Sequence, residues 1–517
     1  MEYSDTEMEL SGISLPLSPL LSDTAPAQRA SFESLPNEVI SKIINHVRYN
    51  NDSEPRAMAD LASLARASRS FCVATRHVLY QSPYIPPFPK PRHMVKPPNS
   101  NQRVWPKSRI FLFARTLLAA PLLFEDIKGL EVGIRVGVEV TKGYTSEARV
   151  LIHECGFLSG YNISVRWPMH TEAPFVAAIF AMLPPIKKLS IQVYWKDDPE
   201  NTTEVEVETL FKDLRLSTYR DLLWYQGCVA HRMPVFEKLE SFSTKGIDLS
   251  RAFVFIRSLR SLHIDNETFL MNRFHNYLFN HHLGLHPQNV NVTSLTLQAS
   301  TWVFLDRLSR SNPTTLEWFH MLFPRVSELT ITIDCNRGPI QNGFMWQDRN
   351  SLILDGTNQA EAQYLLGKIS GFSNTLKSLI VDAVTAPDPT DPNTTLSYWL
   401  PLVGSIESVL NFTELESISL PRVFYFNDSY TRATDFEQYP FHKVIPQNLR
   451  RLEITHAVQE SINLWLQALI SYLEKHPCNL REIVLIRRKD IKYPLKIIDG
   501  VYDGMHRFYI TISILEP

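Results

Sequence analysis

Apolar residues recur along this chain in two registers. The first is helical and belongs to the opening eighty residues; the second is a short alternating pattern that fills most of the remainder. Ser34-Leu35-Pro36-Asn37-Glu38 supplies a polar cap and a proline in a first turn. Val39, Ile40, Ile43, Ile44 and Val47 then fall on one face of the helix so started. A polar insert, Tyr49 to Pro55, separates it from a second series, Leu61, Leu64, Ala65 and Ser68. A third runs from Arg69 through Phe71, Val73, Val78, Leu79 and Tyr80. Three amphipathic helices in about fifty residues bury little surface by themselves, so the pattern asks for a partner.

From Lys107 onward the pattern changes. Ile110 to Leu123 predicts a helix ending near Pro121, and then a unit of spacing apolar-x-x-apolar-x-apolar begins to recur. Its copies are Ile127/Leu130/Val132, Ile186/Leu189/Ile191, Leu239/Phe242/Thr244, Leu259/Leu262/Ile264 and Val292/Leu295/Leu297. They continue as Val326/Leu329/Ile331, Leu376/Leu379/Val381, Leu415/Ile418/Leu420, Leu449/Leu452/Ile454 and Leu480/Ile483/Leu485. The alternating half of each unit predicts a short strand with two side chains in a core and the polar ones between them facing out. Helical segments precede several copies: Phe175, Val176, Ile179, Phe180 and Leu183; Leu316, Phe319, Met321 and Leu322; Trp465, Leu466, Leu469, Ile470 and Leu473. Strand, turn, helix, turn, strand at intervals predicts an α/β solenoid in which each unit buries its neighbour. The insertions Trp195 to Glu208 and Asn336 to Gln359 are expected as loops on one rim.

Composition sharpens this picture mainly by exclusion. The chain has 517 residues, 44% hydrophobic and 21% charged, with a formal net charge of −2. That is a globular balance, with no overall basic field to drive nucleic-acid binding. No apolar run has the roughly 18 residues of a membrane span. Cys72, Cys155, Cys228, Cys335 and Cys478 are odd in number and scattered, which fits a reducing compartment, cytoplasmic or nuclear, rather than a disulfide framework. Residues 1–30 are rich in serine, proline and acids and read as a disordered leader. The prolines between Ser82 and Pro106, with Lys90, Arg92, Lys96 and Arg103, read as a stiff basic linker over 86–106.

Catalytic chemistry finds no foothold. The glycines make neither phosphate-binding fingerprint, and Gly133-Ile134-Arg135-Val136-Gly137 reads as strand. No nucleophile elbow and no paired-histidine zinc motif occurs. His275, His281, His282 and His286 could surround a metal ion, but Asn276, Asn280, Pro287 and Asn289 make that stretch a polar loop. Asp388 and Asp391, among prolines, likewise read as surface loop. Tyr194, Trp195, Trp302, Phe304, Tyr425 and Phe426 sit at strand ends, as binding anchors or, one by one, as plugs for the ends of coils. The sequence therefore predicts a non-enzymatic protein with no cofactor and no metal.

The opening helices resemble the F-box, the module that joins substrate receptors to SCF-type ubiquitin ligases. Leu35-Pro36-Asn37-Glu38, Val39-Ile40, Ile43-Ile44, Leu61-Ala62-Ser63-Leu64, Ser68-Arg69-Ser70-Phe71 and Leu79-Tyr80-Gln81-Ser82 follow the family's order. The remainder resembles the degenerate leucine-rich repeats joined to F-boxes in fungal and other eukaryotic receptors, with spacings of about twenty to about sixty residues in place of a regular 20–29. The resemblance implies a small all-helical F-box over 31–85 and an irregular leucine-rich-repeat-like α/β solenoid over 107–517. It implies that Leu35, Pro36, Val39, Ile40, Ile43, Leu61, Leu64 and Phe71 bind a Skp-family adaptor, and through it a cullin–RING ligase. The repeats would hold a protein substrate, with no nucleic acid and no membrane involved. The alternative expectation is a non-catalytic repeat scaffold working outside a ubiquitin ligase.

Overall fold

The computed structural model describes residues 35–49, 54–88, 107–135, 140–141, 143–159, 172–194, 234–245, 256–265, 288–299, 315–334, 365–384, 406–425, 432, 434, 436, 439–457, 459–487 and 494–515. The chain divides into two compact units, Met1–Leu79 and Tyr80–Pro517. The expected leader, the two rim insertions, the histidine stretch 275–286, Asp388 and Asp391, and linker residues 89–106 lie outside the described residues.

In the first unit, α1 (Asn37–Tyr49), α2 (Glu54–Ala67) and α3 (Arg69–Gln81, whose last two residues belong to the second unit) follow the three apolar series. The Pro36 carbonyl accepts the Val39 and Ile40 amides at 3.0 and 3.1 Å, which closes the first turn of α1. Ser68 caps α3, its hydroxyl accepting the Phe71 amide at 3.2 Å and its carbonyl the Cys72 amide at 2.9 Å. Ile40, Ile44, Leu61 and Phe71 form the buried core, with Leu35, Ile43, Val47, Leu64, Ala74, Val78 and Leu79 packed around it.

The second unit is α/β, built on one sheet of twelve parallel strands whose order follows the chain. The strands are β1 (Tyr84–Ile85), β2 (Gly129–Arg135), β3 (Lys188–Tyr194), β4 (Ser241–Lys245), β5 (Ser261–Asp265) and β6 (Ser294–Ala299). They continue as β7 (Glu328–Asp334), β8 (Ser378–Val384), β9 (Ser417–Pro421), β10 (Arg451–Ala457), β11 (Glu482–Arg487) and β12 (Thr511–Leu515). Register explains why the apolar triplets share one spacing. Leu130, Leu189, Phe242, Leu262 and Leu295 are successive partners, and Leu329, Leu379, Ile418, Leu452 and Ile483 carry the same file onward. A one-residue slip in any copy would turn its apolar side chains away from the core. Thr244, the weakest position in the ten copies, is buried in the place its neighbours fill with isoleucine.

Behind the sheet lie α4 (Arg109–Ala119), α5 (Thr145–Ser159), α6 (Ala173–Met182), α7 (Thr315–Leu322), the single turns α8 (Leu365–Lys368) and α9 (Phe441–Val444), α10 (Gln459–Leu473) and α11 (Asp499–His506). A single tight turn, Pro234–Phe236, leads into β4. The arrangement is compatible with the expected α/β solenoid.

Two features depart from the expected boundaries. The second unit starts well before residue 107: Tyr84 and Ile85 pair with Glu131 and Val132, and Phe88 is fully buried in the main core. Prolines 83, 86 and 87 tolerate this because β1 is an edge strand, where a missing amide breaks no ladder. The other departure is β12, a strand beyond the ten copies. A further feature lies just ahead of the strands. Short polar side chains before the strand bond the carbonyls of the preceding coil: Ser258 to Leu239 at 2.9 Å, Asn291 to Arg257 at 2.8 Å, Thr375 to Val326 at 2.8 Å, Asn448 to Thr413 at 2.7 Å and Asn479 to Gln447 at 3.0 Å. Each satisfies a turn carbonyl that no strand partner reaches.

Gly133 shows how closely the chain entering the sheet is laid down. A methyl group on it would lie 2.5 Å from Pro87 Cδ and 2.8 Å from the Pro87 nitrogen. Gly133→Ala is expected to displace residues 84–88 at a cost of about 1–3 kcal/mol, the range for overpacking a filled site. Amide exchange of Glu131, whose N–H donates to the Pro83 carbonyl at 3.0 Å, is the readout and should accelerate.

Candidate functional site

The eight residues expected to bind an adaptor fall into three groups. Ile40, Leu61 and Phe71 are buried inside the three-helix unit and hold it together. Leu35, Ile43 and Leu64 are half-buried against that core. Pro36 is exposed and Val39 is 39% exposed, so the first turn of α1 presents both to solvent. Helical periodicity identified the apolar stripe of α1 but could not say which edge of it stays outside. Val73, which the sequence places in the apolar series of α3, is 69% exposed and so a further outward aliphatic beside the eight; it is out of step with the buried Phe71 and the core-packed Ala74 and Val78.

The second candidate surface is the sheet face opposite the apolar files. Strand alternation puts Ser190, Gln192 and Tyr194 on it while Leu189, Ile191 and Val193 are buried. Its charges are largely answered within the face. Gln192 donates to Glu131, and Tyr194 donates to Gln192 at 2.6 Å. Lys245 pairs with Asp265 at 3.1 Å, Ser419 donates to Glu453 at 2.8 Å, and Arg451 bridges Glu453 at 3.1 Å and Glu482 at 2.9 Å. His456, held in the left-handed region at φ 56, brings Nε2 to 3.7 Å from Asp382. Between these pairs lies a stretch without charge: Thr296 beside Thr330 and Gln298 beside Thr332, with Ile380 exposed on the next strand.

Burial lowers the His263 imidazole, with Asp265 opposing and Lys245 assisting, so the neutral ring is favoured at pH 7. Among the cysteines, Cys155 is buried and its thiol is pushed up to about 12 by desolvation, which leaves no thiolate to react. Of the strand-end aromatics, Tyr194 ends β3 half-buried, and Tyr425 is buried with its phenol pushed well up by desolvation. Trp195, Trp302, Phe304 and Phe426 lie outside the described residues. Tyr425 packs against Trp465 with ring centroids 6.2 Å apart, in the coil-plugging place.

Among the described residues no group of three or more acidic, histidine or cysteine side chains is placed to hold a metal ion, and no helix is long and apolar enough to cross a membrane. A comparison with known protein families finds none that matches the chain. No curated protein matches it either.

Proposed function

We propose that this chain is the substrate-recognition subunit of an SCF-type cullin–RING ubiquitin ligase, its three-helix unit serving as an F-box and its sheet unit as an irregular leucine-rich-repeat-like receptor. One observation carries the reading: the ordered series Leu35-Pro36-Asn37-Glu38, Leu61-Ala62-Ser63-Leu64 and Ser68-Arg69-Ser70-Phe71 lies on three successive helices that close on a shared core. Pro36 and Val39 remain outward beside the half-buried Leu35 and Ile43. These four are the docking edge for a Skp-family adaptor, and Ile40, Leu61 and Phe71 act by holding that edge in shape. Twelve parallel strands in chain order support the repeat reading, since each coil of a solenoid rests on its neighbours. The receptor's contribution is proximity: it raises the effective concentration of substrate at the ligase and does no chemistry itself. Such a complex works in the reducing cytoplasm or nucleus.

The alternative reading is a non-catalytic interaction scaffold that works outside a ubiquitin ligase. Affinity purification with mass spectrometry separates the two. The ligase reading expects adaptor and cullin together with the full chain, and the scaffold reading expects no cullin. Val39→Asp places a charge on an exposed position and should leave the helices intact while lowering adaptor recovery at least tenfold. Undiminished recovery would remove this edge from the account.

A further inference from the structure

β12 ends the sheet with one side open: among the described residues its strand neighbour is β11 alone. Register lays Ile512 and Ile514 beside Ile483 and Leu485, which are fully buried, yet the two β12 side chains are only partly covered, with a single coil resting against them. The helix behind the strand turns the same way. Gly504 on α11 lies against α10, where an added methyl group would stand 2.6 Å from Ile470 Cδ1. Tyr502 comes two residues earlier, about 200° round the helix, so it faces away from α10, and Ile498 lies one turn before it. Both are exposed, as are Tyr509 and Leu515. A terminal coil ordinarily turns a polar face outward. This one turns an apolar face, the mark of an interaction surface.

We propose that this end of the sheet pairs with the same end of a second copy of the chain, β12 against β12, antiparallel about a two-fold axis through Ser513. The backbone is in phase for it. The Thr511 amide donates to the Arg481 carbonyl of the preceding coil at 2.9 Å, so by alternation Ile512 and Ile514 turn their amide and carbonyl groups to the open side. The axis sets Ile512 opposite the second copy's Ile514, each pair exchanging both its hydrogen bonds. Their apolar side chains then meet on the core face, and Ser513 meets Ser513 on the other. No charged residue lies between Ile510 and Leu515 to oppose the contact. Charge at the strand's ends favours the antiparallel sense: the exposed Arg507 precedes it and Glu516 follows it, so each copy's basic end meets the other's acid. The opposite edge of the sheet cannot take this strand, because β1 has two residues and Pro83, Pro86 and Pro87 around it lack amide hydrogens. Head-to-tail growth is thereby blocked, and the contact closes as a symmetric pair.

Sedimentation velocity of the purified full chain, with no adaptor present, tests the pairing. A monomer–dimer equilibrium with a dissociation constant on the order of 10 µM or tighter is expected. Ser513→Lys sets like charges opposite each other at the axis and should raise that constant roughly fivefold. Ser513→Cys reads the register, and serves also if the lysine variant does not fold. The Cα atoms of a non-hydrogen-bonded antiparallel pair lie about 4.5 Å apart, within disulfide reach. Mild oxidation should therefore give a covalent dimer that neither the wild type nor Ser241→Cys, on the same face of β4, forms. A chain still monomeric at about 100 µM, assemblies larger than a dimer, a constant that Ser513→Lys leaves unchanged, or no cross-link in Ser513→Cys would overturn the proposal.

Discussion

Trp465→Ala should cost about 3–5 kcal/mol and strip protection from the last four strands, because it empties the middle of the largest aromatic cluster in the described structure. Trp465 is fully buried on α10, with ring centroids 5.5 Å from Phe441, 6.2 Å from Tyr425 and 6.4 Å from Tyr439. Tyr439 is itself pinned, its hydroxyl donating to the Tyr425 carbonyl at 2.7 Å, so the rings cannot close over the space left behind. The cost therefore includes a cavity as well as lost transfer free energy. In an array of stacked coils such a loss is felt mainly by nearest neighbours. Amide exchange in β9 to β12 should rise sharply while β2 to β5 stay protected. Trp465→Phe, which keeps a ring in place, should recover most of the loss. Uniform exchange along the sheet would show that the coils do not act as neighbour-coupled units.

Phe71→Ala should have the second large effect, confined to the three helices. Four buried residues form that core, and Phe71 is the largest of them. Truncating it costs about 3–5 kcal/mol, close to all that a single core of this size supplies. The expected result is a chain whose residues 35–79 are cleaved readily by protease while the sheet unit resists, with adaptor recovery lost as well. Val39→Asp should lose recovery without that new cleavage. The pair of variants thus separates a residue that shapes the edge from one that forms it.

The contrast between those two positions shows where sequence reading reaches its limit. The apolar triplets located β2 to β11 because a two-residue alternation beside a leading apolar residue has one useful register on a half-buried sheet. β12 escaped the same reading because its leading position is Tyr509, which is 79% exposed at φ 59; Ile510 takes the buried place. β1 was hidden by its prolines, which forbid a central strand but not an edge. The carbonyl-bonding Ser258, Asn291, Thr375, Asn448 and Asn479 were readable, each a short polar residue directly before a leading leucine or valine. The hydrogen bonds by which the buried Glu172 accepts from Ser108 and Arg135 were not legible at all: the residues stand at 108, 135 and 172, and only the fold brings them together.

Direct titration of a Skp-family adaptor into the purified full chain tests the central claim. Saturable binding with one adaptor per chain, weakened at least tenfold by Val39→Asp, is the expected result. An adaptor that does not bind the folded wild-type chain, or that binds Val39→Asp equally well, would contradict it.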